Sequence, residues 1–257
     1  MNSWLRYGAP GALRKAGTFI GNIIWPPTSP LTGRRVAASG LLEPECWQCL
    51  HFLDPPWCET CGVPFAFPVG AGAECGACIA RQPVIHKARA ALVYADQSRR
   101  LVLDFKHGGR LDALDQMTAW MVRAGPDVLD GSSALIPVPL HPTRLFSRRF
   151  NQSQLLARAI SARTGIPVES GWLLRRRRTP SQAGQTGRGR RRNVAGAFAL
   201  TAAGDIALAG MTVTLIDDVM TTGATFEACA KPLLRAGAQC VNALSLARVV
   251  KPVDPTT

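Results

Sequence analysis

The stretch Leu215-Ile216-Asp217-Asp218-Val219-Met220-Thr221-Thr222-Gly223-Ala224-Thr225 closes an apolar, β-branched run that begins at Thr212. A short, uninterrupted run of that kind predicts a strand over 212–216 covered on both faces, the pattern of a parallel sheet. It ends in two adjacent carboxylates. Side chains alternate along an extended chain, so Asp217 and Asp218 diverge and can meet different polar partners, such as the hydroxyls of a sugar diol. The turn that follows offers three threonine hydroxyls and several backbone N–H groups ahead of a predicted helix, an arrangement suited to a phosphate dianion. Gly223 allows close backbone approach. Either half alone is ordinary: loop carboxylates, or Thr222 as a helix N-cap. Together, at the carboxyl end of a strand, they stand where ligands of open α/β sheets sit.

Working outward, residues 88–94 predict a strand, 98–106 the start of a helix, and 111–124 a second helical pattern with Leu114, Met117 and Met121 at spacings of three and four. Residues 134–140 form a short buried strand broken by prolines. An Arg-rich turn and a helix over about 152–164 follow, ended by Gly165-Ile166-Pro167. A helix over 226–236 and a strand over 240–248 complete the pattern, with Pro232 predicting a kink. This alternation predicts a mostly parallel sheet with helices on both faces. A chain of 257 residues accommodates such a domain plus an appendage. The composition shifts near residue 85, dividing 1–85 from 86–257.

A hydrophobic fraction of 47% and a charged fraction of 18% suit a soluble globular protein, and no apolar run reaches membrane-span length. Residues 1–25 lack a continuous apolar core and a cleavage site, so no secretory signal and a cytoplasmic location are expected. Their weak amphipathic character fits a packing helix or membrane-surface contact. The net charge of +13 calls for an anionic partner, nucleotide or nucleic acid. The charge is concentrated over 171–193, where Arg175, Arg176, Arg177, Arg178, Arg188, Arg190, Arg191 and Arg192 stand without an acidic residue. A solvated basic loop is the plainer account of the same run.

Six of the eight cysteines lie between Cys46 and Cys78, in three Cys-x-x-Cys pairs. In a chain without a leader that spacing favours tetrahedral zinc over disulfides, and Cys58, Cys61, Cys75 and Cys78 around a glycine-rich loop look like a zinc ribbon. Reduced cysteines or redox pairs are the alternative. Cys46 and Cys49 remain unassigned, while Cys229 and Cys240 suit the core.

The string from Leu215 to Thr225 resembles the signature of type I phosphoribosyltransferases that binds 5-phosphoribosyl 1-pyrophosphate (PRPP). With a zinc ribbon ahead of it, the chain resembles the ComF family of competence-associated proteins over nearly its whole length. Further strings agree with that likeness: Cys58 to Pro64, Asp104-Phe105-Lys106-His107 before Arg110, Val138-Pro139-Leu140, Arg148-Arg149-Phe150-Asn151-Gln152, and Thr179-Pro180-Ser181-Gln182 with Arg192-Asn193. The resemblance implies a type I phosphoribosyltransferase-like sheet preceded by a small N-terminal zinc ribbon. Thr221, Thr222, Gly223, Ala224 and Thr225 would hold the 5-phosphate, Asp217 and Asp218 the ribose, and Lys106 and Arg110, with the turn from Pro139 to Asn151 that carries Arg149, the pyrophosphate side. Magnesium would ride on substrate oxygens. Residues 179–193 would form a loop able to close over the site. Where relatives carry a first Cys-x-x-Cys-Gly, this chain has Ser29 and Thr32. Hydroxyls replace thiolates poorly, so one zinc is expected.

Two functions follow from this resemblance. One is magnesium-dependent transfer of ribosyl 5-phosphate to an unidentified acceptor, in a protein associated with DNA uptake. The other is a non-catalytic module that binds single-stranded DNA, alongside uptake or recombination proteins, with PRPP only as a regulator.

Overall fold

The computed structural model describes residues 27–38, 41–107, 111–177 and 187–250. The N-terminal stretch 1–26, Arg110, and the segment 178–186 with its Thr179–Gln182 string lie outside the described residues, as do the side chains of His107, Arg148, Arg188 and Arg190. Four parallel strands, β1 (Ala88–Val93), β2 (Ala134–Pro137), β5 (Thr212–Met220) and β6 (Cys240–Arg248), form one sheet in the order β1-β6-β5-β2. An antiparallel pair, β3 (Leu173–Arg175) and β4 (Phe198–Leu200), forms a second. The helices are α1 (Pro44–Gln48), α2 (Gly76–Ala80), α3 (Asp96–His107), α4 (Leu114–Ala124), α5 (Pro126–Leu129), α6 (Pro142–Arg148), α7 (Gln152–Thr164), α8 (Gly187–Val194), α9 (Ala202–Ala207) and α10 (Ala224–Arg235). Among the described residues no helix is long and apolar enough to cross a membrane.

The two-residue period of β5 and β6 feeds two cores. Ile216, Leu244 and Leu246 pack with Phe105, Met117, Met121, Leu156 and Ile160 of α3, α4 and α7. Val213, Leu215, Val241 and Ala243 face the other way, onto Cys229, Ala230 and Leu233 of α10 and onto Leu173 and Phe198 of the small sheet. The sheet is therefore covered on both faces, which explains why even Thr214, between Val213 and Leu215, is fully buried. It also runs further than the apolar run suggests. The ladder with β6 continues through Asp217 opposite Ser245 to Met220 opposite Arg248, so both acids lie within the strand. β2 stops at Pro137, short of the predicted residue 140, because Pro139 has no N–H to offer a ladder. α7 begins under the Asn151 side chain, which accepts from Ser153 N, and ends at Gly165 with φ 76°. α10 carries Pro232 in its interior and continues to Arg235.

The cysteine-rich segment docks at two places. Residues 58–62 lie against the start of β1: Ala88 N donates to Thr60 O at 2.7 Å, and the buried Arg89 donates to Glu59 O at 2.9 Å and to Asp127 Oδ2 at 2.6 Å. A Cβ on Gly62 would stand 2.4 Å from Ala88 O, so the close seam requires glycine there. The preceding segment instead sends Leu31, Leu42, Cys46 and Leu50 into the core against Met117 and Trp120. Trp47 stands edge-on to Trp120, with ring centroids 5.7 Å apart.

Candidate functional site

The carboxyl ends of β1, β2 and β5 open into a cavity of about 730 Å³, whose wall includes Lys106, Asp217, Asp218, Thr221, Gly223, Ala224 and Thr225. Asp217 Oδ1 accepts from Ser153 Oγ and from Asp218 N, both at 2.9 Å. Asp218 is buried and paired with Lys106 Nζ at 3.0 Å. Burial first, and then the adjacent Asp218 carboxylate, push Asp217 up to about 7 against the opposing pull of Lys106. The pair thus carries a proton near neutrality that a cationic or hydroxylated ligand can displace or share.

Beyond Met220 the chain turns through Gly223 at φ 73°, which is the N-cap of α10 and gives no side-chain cap. The first N–H groups of α10 are left pointing out of the helix end into the cavity wall formed by Ala224 and Thr225. Two sequence candidates lie elsewhere. Thr222 lines a separate, smaller cavity, where its buried hydroxyl has no hydrogen-bond partner among the described residues. Arg149 is exposed at the end of α6 with φ 65° and does not line the large cavity.

The cavity also gathers residues from three of the strings noted in the sequence, and one, Ser153, that sequence reasoning passed over. Arg144 of α6 and Arg175 of β3 line it, as do Gln152 and Ser153 at the start of α7. Burial, then the nearby Arg144, work against the charge on Arg175, while Asp217 favours it. Ser153 sits two residues past the Arg-Arg-Phe-Asn run, and that proximity was its only sequence signal.

The sulfur atoms of Cys58, Cys61, Cys75 and Cys78 lie within 4.8 Å of one another. Cys61 and Cys75 Sγ are 3.7 Å apart, against roughly 3.8 Å for the edge of a tetrahedron built on 2.3 Å zinc–sulfur bonds. Cys58 Sγ accepts backbone N–H groups from Cys61 at 3.5 Å and Cys75 at 3.3 Å, as a metal-bound thiolate does. The four residues therefore fit a structural zinc ion and form a zinc ribbon.

Ser29, Thr32, Cys46 and Cys49 each stand 29 residues ahead of Cys58, Cys61, Cys75 and Cys78, and Gly33 stands 29 ahead of Gly62. The backbone repeats with them. Ser29 N donates to Arg34 O at 2.7 Å and Gly33 N to Ser29 O at 2.9 Å, where Cys58 N donates to Val63 O and Gly62 N to Cys58 O, both at 2.8 Å. Gly33 and Gly62 have φ of 75° and 69°. The centre differs: Glu43 accepts from the Thr32 hydroxyl and, at 3.4 Å, from Cys46 Sγ. Hydrogen bonds from Ser29 and then Thr32 hold the Glu43 carboxyl down to about 2. Two hydroxyls and a hydrogen-bonded carboxylate do not fit a tetrahedral thiolate site.

Residues 20–79 match the family described as "Double zinc ribbon domain". The chain is 31% identical over 199 residues to the DNA utilization protein YhgH of Salmonella typhimurium, an alignment spanning 75% of this chain and 84% of that protein. It is 28% identical over 198 residues to competence protein F of Haemophilus influenzae, spanning 75% and 85%. Among solved structures, a glutamine PRPP amidotransferase from B. subtilis complexed with ADP and GMP overlaps 55% of this chain and 30% of its own, with a TM-score of 0.34 and 18% identity. An allosteric regulatory enzyme of purine biosynthesis overlaps 56% of this chain and 30% of its own, with a TM-score of 0.36 and 19% identity.

Proposed function

Since this chain belongs to the ComF family, we propose that the cavity at the carboxyl edge of its sheet binds PRPP and that the protein is a phosphoribosyltransferase associated with DNA uptake. One observation carries this: two acids and an uncapped helix N-terminus, joined by five residues or fewer, face the same cavity. The α10 N–H groups and the Thr221 and Thr225 hydroxyls would receive the 5-phosphate. Asp217 and Asp218 would accept from the ribose hydroxyls, and their charge would stabilise the cationic sugar as the C1–pyrophosphate bond breaks. Lys106 would then leave Asp218 for the pyrophosphate oxygens. Magnesium, when bound with PRPP, would neutralise the leaving group. The chain would act in the cytoplasm, with residues 1–85 as the metal-bearing unit, holding one zinc, and 86–257 as the PRPP unit.

Calorimetry of PRPP with magnesium tests this reading. Wild type is expected to bind, and Asp217→Asn with Asp218→Asn to lose at least tenfold. Because Asp217 ionises only near 7, affinity is expected to rise as pH passes through that value, and the rise to vanish in Asp217→Asn. No binding by wild type would sink the proposal.

A second reading rests on Phe146, which is 91% exposed on α6 between Arg144 and Arg149. An exposed ring on an arginine-bearing helix offers a stacking platform for single-stranded DNA, with PRPP as a regulator. If PRPP binds but no pyrophosphate is released with any base tried, and Phe146→Ala weakens salt-sensitive DNA binding, this reading replaces the first.

A further inference from the structure

The zinc knuckle stands directly behind the phosphate turn. Arg248, the last residue of β6, is buried, and its guanidinium donates to Cys61 O and approaches Cys61 Sγ at 3.6 Å. Its backbone is paired with Met220, the residue before Thr221, and Val249 N donates to Met220 O at 2.9 Å. A cavity of about 60 Å³ separates the two parts, lined by Thr60, Cys61 and Arg248 on one side and by Thr222, Gly223, Phe226 and Glu227 on the other. On its rim Arg81, three residues after Cys78, pairs with Glu227 in the first turn of α10 at 2.9 Å. The knuckle and the turn are thus joined at two points, one on each side of Gly223.

From this geometry we infer that the zinc ribbon is a brace for the phosphate turn, with Arg248 as the positioning residue, so that zinc retention and PRPP binding favour each other. The inference rests on the PRPP reading above. Zinc fixes Cys61, whose carbonyl and sulfur hold the guanidinium. The net negative charge of four thiolates around one zinc ion suits that guanidinium as an outer partner. The Arg248 backbone in turn holds Met220, from which the turn springs. A ribbon that releases zinc frees Cys61 and leaves a buried cation without its partner, which loosens the backbone ahead of Thr221. Reciprocity then requires that ligand on the turn hinder zinc loss by the same factor in equilibrium terms.

The test follows zinc transfer from the purified zinc-loaded chain to a chromogenic chelator, with and without PRPP and magnesium, beside PRPP affinity by calorimetry. Wild type is expected to hold zinc about fivefold more tightly against the chelator at equilibrium with saturating PRPP. Arg248→Met, checked for zinc content and melting temperature, is expected to bind PRPP about tenfold more weakly and to lose the protection, with Arg248→Lys recovering part of both. Should Arg248→Met not fold, Arg81→Met cuts only the rim contact and is expected to reduce protection by a smaller factor. Equal zinc transfer with and without PRPP, in a wild type that binds PRPP, overturns the brace and leaves the PRPP reading standing. A wild type that binds no PRPP overturns both.

Discussion

The two knuckles, Ser29 to Gly33 and Cys58 to Gly62, share a backbone and differ in what fills it. Each closes through the same pair of backbone hydrogen bonds and a glycine in the left-handed region. At the centre of the second stand four sulfur atoms; at the centre of the first stands the carboxylate of Glu43. The same backbone turn is therefore built by internal hydrogen bonds and a left-handed glycine in both places, and the metal's part in the second is to tie Cys58 and Cys61 to Cys75 and Cys78. What the centre decides is how strongly the two halves of each ribbon are tied. Their surroundings match that division. The first ribbon sends its own Leu31, Leu42 and Leu50 into the core against Trp120 and has that apolar packing to hold it, whereas the second sits at the sheet margin behind the phosphate turn.

The largest contrast is expected from removing one thiol at matching positions. Cys75→Ser should abolish zinc binding and expose 55–85 to proteolysis, because structural zinc in small modules supplies on the order of 10 kcal/mol. Cys46→Ser should leave zinc content unchanged, as measured by metal analysis. Equal zinc loss from both variants would break the comparison.

Restoring the first centre comes next. Ser29→Cys and Thr32→Cys, with Glu43→Gly to match Gly72, should raise zinc content from one toward two equivalents per chain. A content that stays at one would show that the shared backbone is not sufficient for the metal.

Acid should separate the ribbons as well. Zinc leaves the second as its thiolates take up protons. Glu43 is depressed in the folded chain, from an ordinary 4.5 to about 2, so its contribution is complete above about 4.5 and fades as pH falls toward 2. Chelator-detected zinc should therefore appear at a higher pH than the change in Trp47 fluorescence.

The smallest effect is expected from Glu43→Gln, which keeps an acceptor but removes the charge from an exposed group. A slight fall in melting temperature, with zinc content and PRPP affinity unchanged, is the expected result. Loss of PRPP binding in this variant would tie the first ribbon to the site, contrary to its placement.

The sequence by itself determined the parallel sheet, the acids and turn after it, and the zinc ligands. These depend on local physics: an apolar run buried on both faces, a glycine turn before a helix, and thiol pairs at fixed spacing. The 29-residue register was also legible, though only a search for repeats would have drawn it out. Tertiary structure decided the rest. Glu43 joins Ser29, Thr32 and Cys46 because α1 folds back across the knuckle, and nothing in its neighbours along the chain marks it. Ser153 meets Asp217 across 64 positions, and Arg248 meets Cys61 across 187. It also turned Thr222 away from the large cavity and left Arg149 exposed. The direction of a side chain at a turn, and its partner from a distant strand, depend on how whole elements pack, and no local pattern encodes that packing.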